Sequence, residues 1–432
     1  MGISDRPAAE DAEAAGTAGG AGVPPRRPGR RALLAGGIAL AVAGGAGLAL
    51  SRRDGGPSQA APAAADSPST TPLRESPTPM APRADSGAPE PLWTFTSDAD
   101  LVPASTLVAN GTLFTLSSHL TAIDTATGSV KWAGKGVNTL YTAAGAGLVF
   151  VGSFQGATGY DAATGAETWL NVNRQANADD LSNVSVLRAD DKVLYAVARV
   201  RPVGATTSPK LDLLAFSIDT HEKLWSLPVE VGAGPQYLHH AVADGNLYYT
   251  DGRCNLVARN GQDGRQLWLV ETGATSSITP AVADGRAYCR TGSNGLRAVN
   301  LADGRRLWEI STADGGTKAF PPVTAAGGTV YGGNGTAAAC AWDSRTGQQL
   351  WTSPMPFRPT MTEPVLVQDT LFVAGLAGDG VHAVDVRTGR PRWTFTVDAI
   401  SPAAQNQPWG LATDGQRLLA KLGSTVFALP AA

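Results

Sequence analysis

Residues 385–393 read Asp385-Val386-Arg387-Thr388-Gly389-Arg390-Pro391-Arg392-Trp393, and their pattern recurs along the chain: an Asp or Asn, a Gly four residues on, a Trp eight residues on. The other copies are Asp124–Gly128–Trp132, Asp161–Gly165–Trp169, Asn260–Gly264–Trp268, Asn300–Gly304–Trp308 and Asp343–Gly347–Trp351. The Asp or Asn oxygen caps a tight turn and Gly supplies its positive-φ position, so each copy joins two antiparallel strands. A further copy, Asp219-Thr220-His221-Glu222-Lys223-Leu224-Trp225, is two residues shorter when counted from Asp219 and lacks Gly, which predicts a turn of different build.

Outward from these turns, eight of the ten tryptophans form a ladder: Trp93, Trp132, Trp169, Trp225, Trp268, Trp308, Trp351 and Trp393, spaced by about 43 residues on average. A period of this length is the mark of a repeat architecture. Each repeat carries a second marker: Leu113-Phe114, Val149-Phe150, Leu194-Tyr195, Leu247-Tyr248, Ala287-Tyr288, Val330-Tyr331, Leu371-Phe372 and Leu418-Leu419. Short apolar runs such as Ala281-Val282-Ala283 and Val365-Leu366-Val367 precede it and add another strand. Four strands per repeat make a propeller blade. The last repeat lacks its Trp strand, and Leu92-Trp93-Thr94-Phe95 supplies one, so the final blade is expected to draw on both ends of the domain. The predicted fold is all-β, an eight-bladed β-propeller of four-stranded blades over residues 91–432.

Charge excludes one class of partner. Residues 91–432 hold 25 Lys and Arg against 28 Asp and Glu, and the whole chain carries a net charge of −3. No basic face for nucleic acid is expected. Cys254, Cys289 and Cys340 are isolated, with no spacing for zinc, and buried free thiols are favoured over a disulfide.

The first ninety residues divide by composition. Residues 1–31 read as a cytoplasmic disordered tail ending in Arg26, Arg27, Arg30 and Arg31. Residues 32–50 run without a charge, long enough to span a bilayer, with Arg52 and Arg53 behind them. More arginines before the span than after it favour the N-terminus inside and the propeller outside. Gly29-Arg30-Arg31-Ala32-Leu33-Leu34 also resembles a twin-arginine export signal, so secretion stands beside the favoured single-pass anchor. Residues 51–90, rich in Pro, Ala and Ser, are too poor in large apolar groups to order and read as a disordered linker.

The repeated phrase, preceded by Ala122, Ala258, Ala298, Ala341 and Ala383 and by Gly159 in the second copy, resembles the tryptophan-docking motif of the quinoprotein-like (PQQ-like) propellers. The resemblance spans about residues 91–432. It implies that the eight ladder tryptophans pack between neighbouring blades. Fold follows from such a likeness; activity does not. The family includes quinone-dependent dehydrogenases, the propeller lipoprotein of the outer-membrane assembly machine, and propellers on actinobacterial membrane proteins. This chain has no adjacent cysteine pair of the dehydrogenase kind, no lipobox Cys after the apolar run and no kinase lobe. What remains looks like anchor, stalk and sensor-like propeller.

No catalytic, cofactor-binding or metal-binding residue is identified from sequence. His239 and His240 are adjacent on a strand and point to opposite faces, which rules against a shared metal. Glu363 has no identifiable His or Lys partner for acid–base work. The loops leading into the innermost strands converge on one mouth of the channel, and they carry the candidate ligand rim: Tyr237, His239, Thr279, Lys318, Phe320, Glu363 and Gln407. Cation, anion and aromatic groups together suit a polar protein segment, peptide or glycan. The expected function is a non-catalytic binding scaffold with no cofactor, tethered to the membrane through residues 32–50; a PQQ- or metal-dependent oxidoreductase is the alternative.

Overall fold

A computed structural model describes residues 80–83, 87–102, 106–136, 141–153, 156–169, 180–202, 204–229, 238–311 and 320–431. The tail, the apolar span and most of the linker lie outside the described residues. Among the described residues every regular element is a strand.

Eight four-stranded antiparallel sheets follow one another. Blade 1 is Leu107–Ala109, Thr112–Leu116, His119–Asp124 and Val130–Gly136; blade 2 is Thr142–Gly145, Leu148–Ser153, Gly156–Asp161 and Glu167–Trp169. Blade 3 is Asp180–Ala189, Val193–Arg201, Lys210–Ser217 and Lys223–Pro228; blade 4 is His240–Ala243, Asn246–Thr250, Leu256–Asn260 and Gln266–Val270. Blade 5 is Ala281–Ala283, Arg286–Arg290, Leu296–Asn300 and Arg306–Ile310; blade 6 is Val323–Ala326, Thr329–Gly333, Ala338–Asp343 and Gln349–Pro354. Blade 7 is Val365–Val367, Thr370–Ala374, Val381–Asp385 and Pro391–Phe395. Blade 8 joins Gly410–Thr413, Arg417–Leu422 and Thr425–Pro430 to Trp93–Thr96, with Trp93 opposite Ala428 and Thr96 opposite Thr425. The two ends of the domain thus share one sheet. First strands touch in succession from blade 1 to blade 6, and that of blade 8 touches those of blades 7 and 1, so they surround the axis.

Register explains the repeat. Each ladder Trp on a fourth strand lies opposite a small residue on the third: Ala122, Gly159, Ala215, Ala258, Ala298, Ala341, Ala383, and Ala428 for Trp93. Over that small residue the indole meets the aromatic of the second strand, as Phe114 with Trp132 at 5.9 Å and Tyr288 with Trp308 at 5.8 Å between ring centroids. A larger third-strand side chain would separate the rings. The buried faces then interleave between blades, as where Trp308 joins Val330, Cys340 and Trp342 of the next blade. Each fully buried side chain of this size stabilises by about 1.5–3 kcal/mol.

The turn phrases dock the ring together. In blade 7 the Asp385 carboxylate accepts from the backbone N–H of Arg387 and Thr388 and from the Thr388 hydroxyl. Arg392 and these bonds hold its pKa well below the usual carboxylate range. Gly389, at φ 70°, presents its bare Cα to the Trp351 face; a Cβ there would sit 2.8 Å from the ring. The Trp351 indole N–H donates to the Val386 carbonyl at 2.8 Å. The same bond runs from Trp93 to Thr125, Trp132 to Ala162, Trp169 to Ile218, Trp225 to Gly261, Trp268 to Leu301 and Trp308 to Ser344.

One expectation changes. The phrase at Trp225 is not shortened. Ser217 takes the Asp position, its hydroxyl accepting from Thr220 N–H, and His221 takes the Gly position at φ 62°. His221 donates its backbone N–H to the Ser217 carbonyl, as Gly389 does to Asp385. Counting from Asp219 misplaced the register by two residues. In place of a bare Gly, the His221 ring lies against Trp169, centroids 5.3 Å apart. Trp393 packs on Phe372 and against the core shared by blades 7 and 8, but unlike the other seven it finds no acceptor for its indole N–H among the described residues. Blade 8 has no turn between its third and fourth strands, because these come from opposite ends of the domain.

Within the stretch read as linker, Ala81–Pro82 pairs with Val397–Asp398, Arg83 bonds to Asp398 at 2.9 Å, and Met80 is buried in the core of blades 7 and 8.

Candidate functional site: the channel mouth

Strand alternation places the loops leading into the first strands at one end of the ring, and the Trp-docking turns at the other. The docking end is structural. At the opposite end the channel opens into a cavity of about 240 Å³ lined from five blades. Thr106 and Leu107, Tyr141 and Thr142, Val186 to Arg188, Leu238 to His240, and Thr279 form its wall.

The two histidines turn apart, as strand geometry requires. His239 Nδ1 lies 3.3 Å from the Thr279 hydroxyl of blade 5. His240 Nδ1 lies 2.7 Å from the Leu238 carbonyl and its Nε2 2.9 Å from the Leu187 carbonyl of blade 3. Burial above all, with Arg188 and His239 assisting, pulls the His240 pKa down to about 4 against the pull of those carbonyls. The neutral ring has one N–H, so it donates to one carbonyl only. Burial, and then Arg290, lowers His239 as well.

Two charges come from opposite sides of the ring. Arg188 stands opposite Tyr195, at the register position where other blades carry Leu107, Ala143, Ala241, Ala281 or Val365, and the strand bulges between Val186 and Arg188. The guanidinium is exposed to the channel. Glu363 heads blade 7, four blades away in a ring of eight and therefore on the far side. It is open to water, yet the surrounding protein raises its pKa above the usual carboxylate value, while Arg188 acts to lower it. The pair is close enough to interact but makes no N···O contact within 4.0 Å.

Arg290 and Lys421 complete the surroundings. Arg290 is buried; its Nε donates to the Phe320 carbonyl at 3.0 Å and its Nη1 to the Ser276 hydroxyl at 2.7 Å, fastening blade 5 to the loop leading into blade 6. Lys421, 2% exposed in blade 8, runs over Gly410, where a Cβ would sit 3.2 Å from its Cε, and donates to the Val102 carbonyl. Burial pulls its pKa down to about 7.

The sequence-based rim is only partly assembled. His239 and Thr279 line the cavity; Glu363 is not part of its wall, though the charge of Arg188 acts on it. Phe320 does not belong to the rim: it is fully buried against Trp342, centroids 5.4 Å apart, because an apolar ring gains more from the blade core than from a wet mouth. Gln407 turns back onto its own loop, donating to the Ala403 carbonyl at 3.1 Å. Tyr237 and Lys318 lie outside the described residues. Arg188 and Lys421 were missed. For Arg188 the available signal was a charged residue at a strand position that is apolar in most blades.

The described residues of the mouth do not supply a donor set for a quinone with its metal. Among the described residues no three His, Cys, Asp or Glu side chains gather to hold an ion, and the one carboxylate at the mouth, Glu363, faces a guanidinium. The three cysteines are unpaired and on separate blades, Cys289 and Cys340 buried and Cys254 half-buried in a turn at φ 62°.

The sequence profile of the outer membrane protein assembly factor BamB matches residues 83–208, 209–363 and 316–432. This chain belongs to that family. Among solved structures, BamB from Moraxella catarrhalis is similar at 17% identity, with 79% of this chain and 99% of that one covered and a TM-score of 0.55. A computationally designed protein, Ika8, is similar at 12% identity, covering 78% of this chain and 97% of that one, TM-score 0.57. The quinohemoprotein alcohol dehydrogenase from Comamonas testosteroni is similar at 13% identity, covering 79% and 76%, TM-score 0.52. No curated protein sequence matches the chain. An assembly factor, a designed protein and an alcohol dehydrogenase on one architecture show that these likenesses speak for the fold alone.

Proposed function

We propose that this protein is a non-catalytic binding scaffold, an extracytoplasmic propeller tethered through residues 32–50, that receives a polar protein segment, peptide or glycan at the channel mouth. The observation that carries this reading is the five-blade cavity at the channel mouth with the exposed Arg188 on its wall. Ligands of propellers and barrels favour such mouths, where a few polar groups converge in a concave wall. Family membership supports the scaffold part, since the matching family is described as an assembly factor. The apolar run flanked by arginines supports the tether. Among the described residues no helix is long and apolar enough to cross a membrane; residues 32–50 lie outside them.

The test is capture from envelope extract by the immobilised full chain and by its Arg188→Ala/Glu363→Ala double variant. A component retained by the first and lost by the second is the expected result. Equal retention by both would move the site to the blade sides, and a quinone absorbance band with dye-linked alcohol oxidation would replace the scaffold by an enzyme.

A further inference from the structure

The described wall of the mouth cavity carries one permanent charge. Its lining holds no Asp, Glu or Lys, and Arg188 supplies its single guanidinium. That guanidinium is exposed to the channel and makes no hydrogen bond or ion pair among the described residues. Its position is set by the backbone. Leu187 is the extra residue of a bulge, unpaired between Val186 opposite Ala196 and Arg188 opposite Tyr195. A bulge of this kind re-aims the neighbouring side chain. The Leu187 carbonyl lies 2.9 Å from His240 Nε2, which sets the bulge against blade 4. The other polar lining residues, Thr142, Thr279 and His239 among them, are uncharged, and Leu107 and Leu238 add apolar surface.

Such a wall selects by charge. A cation would meet a guanidinium there and no carboxylate. Glu363 lies outside the wall and forms no ion pair with Arg188, so the donors of the fork stay open to a guest. A phosphate dianion would leave one of its charges without a partner on the wall. A carboxylate brings one charge and two oxygens in a plane, which a guanidinium matches with two parallel N–H···O bonds. At about 240 Å³ the cavity lies below the ~300 Å³ at which drug-sized sites begin, so the part of the guest behind the carboxylate is small. We propose that the mouth cavity binds a monocarboxylate, either a small free acid or the C-terminal carboxylate of a polypeptide, on Arg188. This rests on the reading of the mouth as a ligand site and names the chemistry of its ligand.

Calorimetric titration of the full chain with N-acetyl-L-amino acids tests it, each beside its uncharged amide, together with acetate beside acetamide and with inorganic phosphate as the competing anion. At least one carboxylate should bind, at least about tenfold more tightly than its matched amide and than phosphate. An N-acetyl amino acid that binds more tightly than acetate assigns the site to a chain terminus, and acetate binding as tightly assigns it to a free acid. Arg188→Gln should weaken carboxylate binding by at least about tenfold while the variant melts as the parent does. Binding of no carboxylate, an amide binding as tightly as its acid, phosphate binding more tightly than any carboxylate, or binding indifferent to Arg188→Gln would each overturn the proposal. If no carboxylate binds while the double variant still loses its envelope component in the capture experiment, only the carboxylate assignment falls and the scaffold reading stands.

Discussion

Seven of the eight seams between blades are closed by one device and the eighth by another. In the seven, an indole on one blade donates to the first carbonyl after the turn-capping residue of the next, and a Gly or His221 lies against its face. At the seam from blade 7 to blade 8 the indole of Trp393 has no such turn to meet. The counterpart carbonyl, Ala431, accepts instead from the Thr370 hydroxyl and from Arg392. Met80, Phe395, Trp409 and Phe427 fill the core beneath, and Ala81–Pro82 pairs across the connection between these blades. The lesson is that a local turn can lock two blades only where the chain is continuous; where the ring closes, packing and strand pairing from distant residues take over.

The widest break in this comparison would come from deleting Leu418 to Ala432. That removes the strands on which Trp93–Thr96 pairs and opens a sheet edge. The expected result is loss of the cooperative melt of the whole ring; a melting temperature within about 2 °C of the intact chain, the shift that losing only about 1.5 kcal/mol gives in a domain of this size, would refute closure through blade 8.

Single tryptophans sharpen the contrast. Trp308→Ala should cost about 3–5 kcal/mol, since a buried indole leaves a cavity. Trp393→Ala should cost less by about 1 kcal/mol, the worth of the hydrogen bond it never makes. Urea denaturation of the two variants decides; equal losses would mean that the missing bond contributes nothing.

The smallest effect concerns the seam between blades 8 and 1, where Lys421 reaches Val102. Its folded pKa of about 7 lies below the ~10.4 of an unfolded Lys. Between those values the unfolded chain binds more protons, so this residue's contribution rises with pH from about 7 towards 10, and below 7 its penalty is complete. Burial of the charge costs up to about 4.6 kcal/mol at pH 6, partly offset by the roughly 1.5–3 kcal/mol of the bond to the Val102 carbonyl, so Lys421→Met should stabilise the protein by about 2 kcal/mol there, with the difference between variant and parent shrinking towards pH 10. Melts at both pH values measure it. A pH-independent difference would show that Lys421 stays charged when folded.

The same split between local and distant interactions explains which features could be read in advance. Strand content and blade number were legible because each rests on near neighbours: Asp385 caps a tight turn, Gly389 needs its own positive φ, and Trp393 lies opposite Ala383 in a hairpin; the shared last blade followed from counting the repeats, whose last copy lacks a Trp strand. The misreading at Trp225 came from the same source, since Asp219 looked like the cap while Ser217 fills that role and His221 adopts the φ that favours Gly. The rim was legible only in part. His239 and Thr279 belong to loops whose place follows from the repeat, whereas Phe320 follows the nearest apolar surface, and no local rule shows that surface.

By itself the sequence determined the repeat, the eight blades and the end of the ring at which polar loops gather, because hairpin register and turn chemistry act over a few residues. Only the tertiary structure decided which of those groups meet. Arg188 and Glu363 are 175 positions apart in the sequence and four blades apart in the ring, and Lys421 lies over Gly410 because the strand register brings the two together. Charge and burial depend on those meetings, since the field at a carboxylate and the water around an ammonium are set by whatever the closed ring brings within a few ångströms.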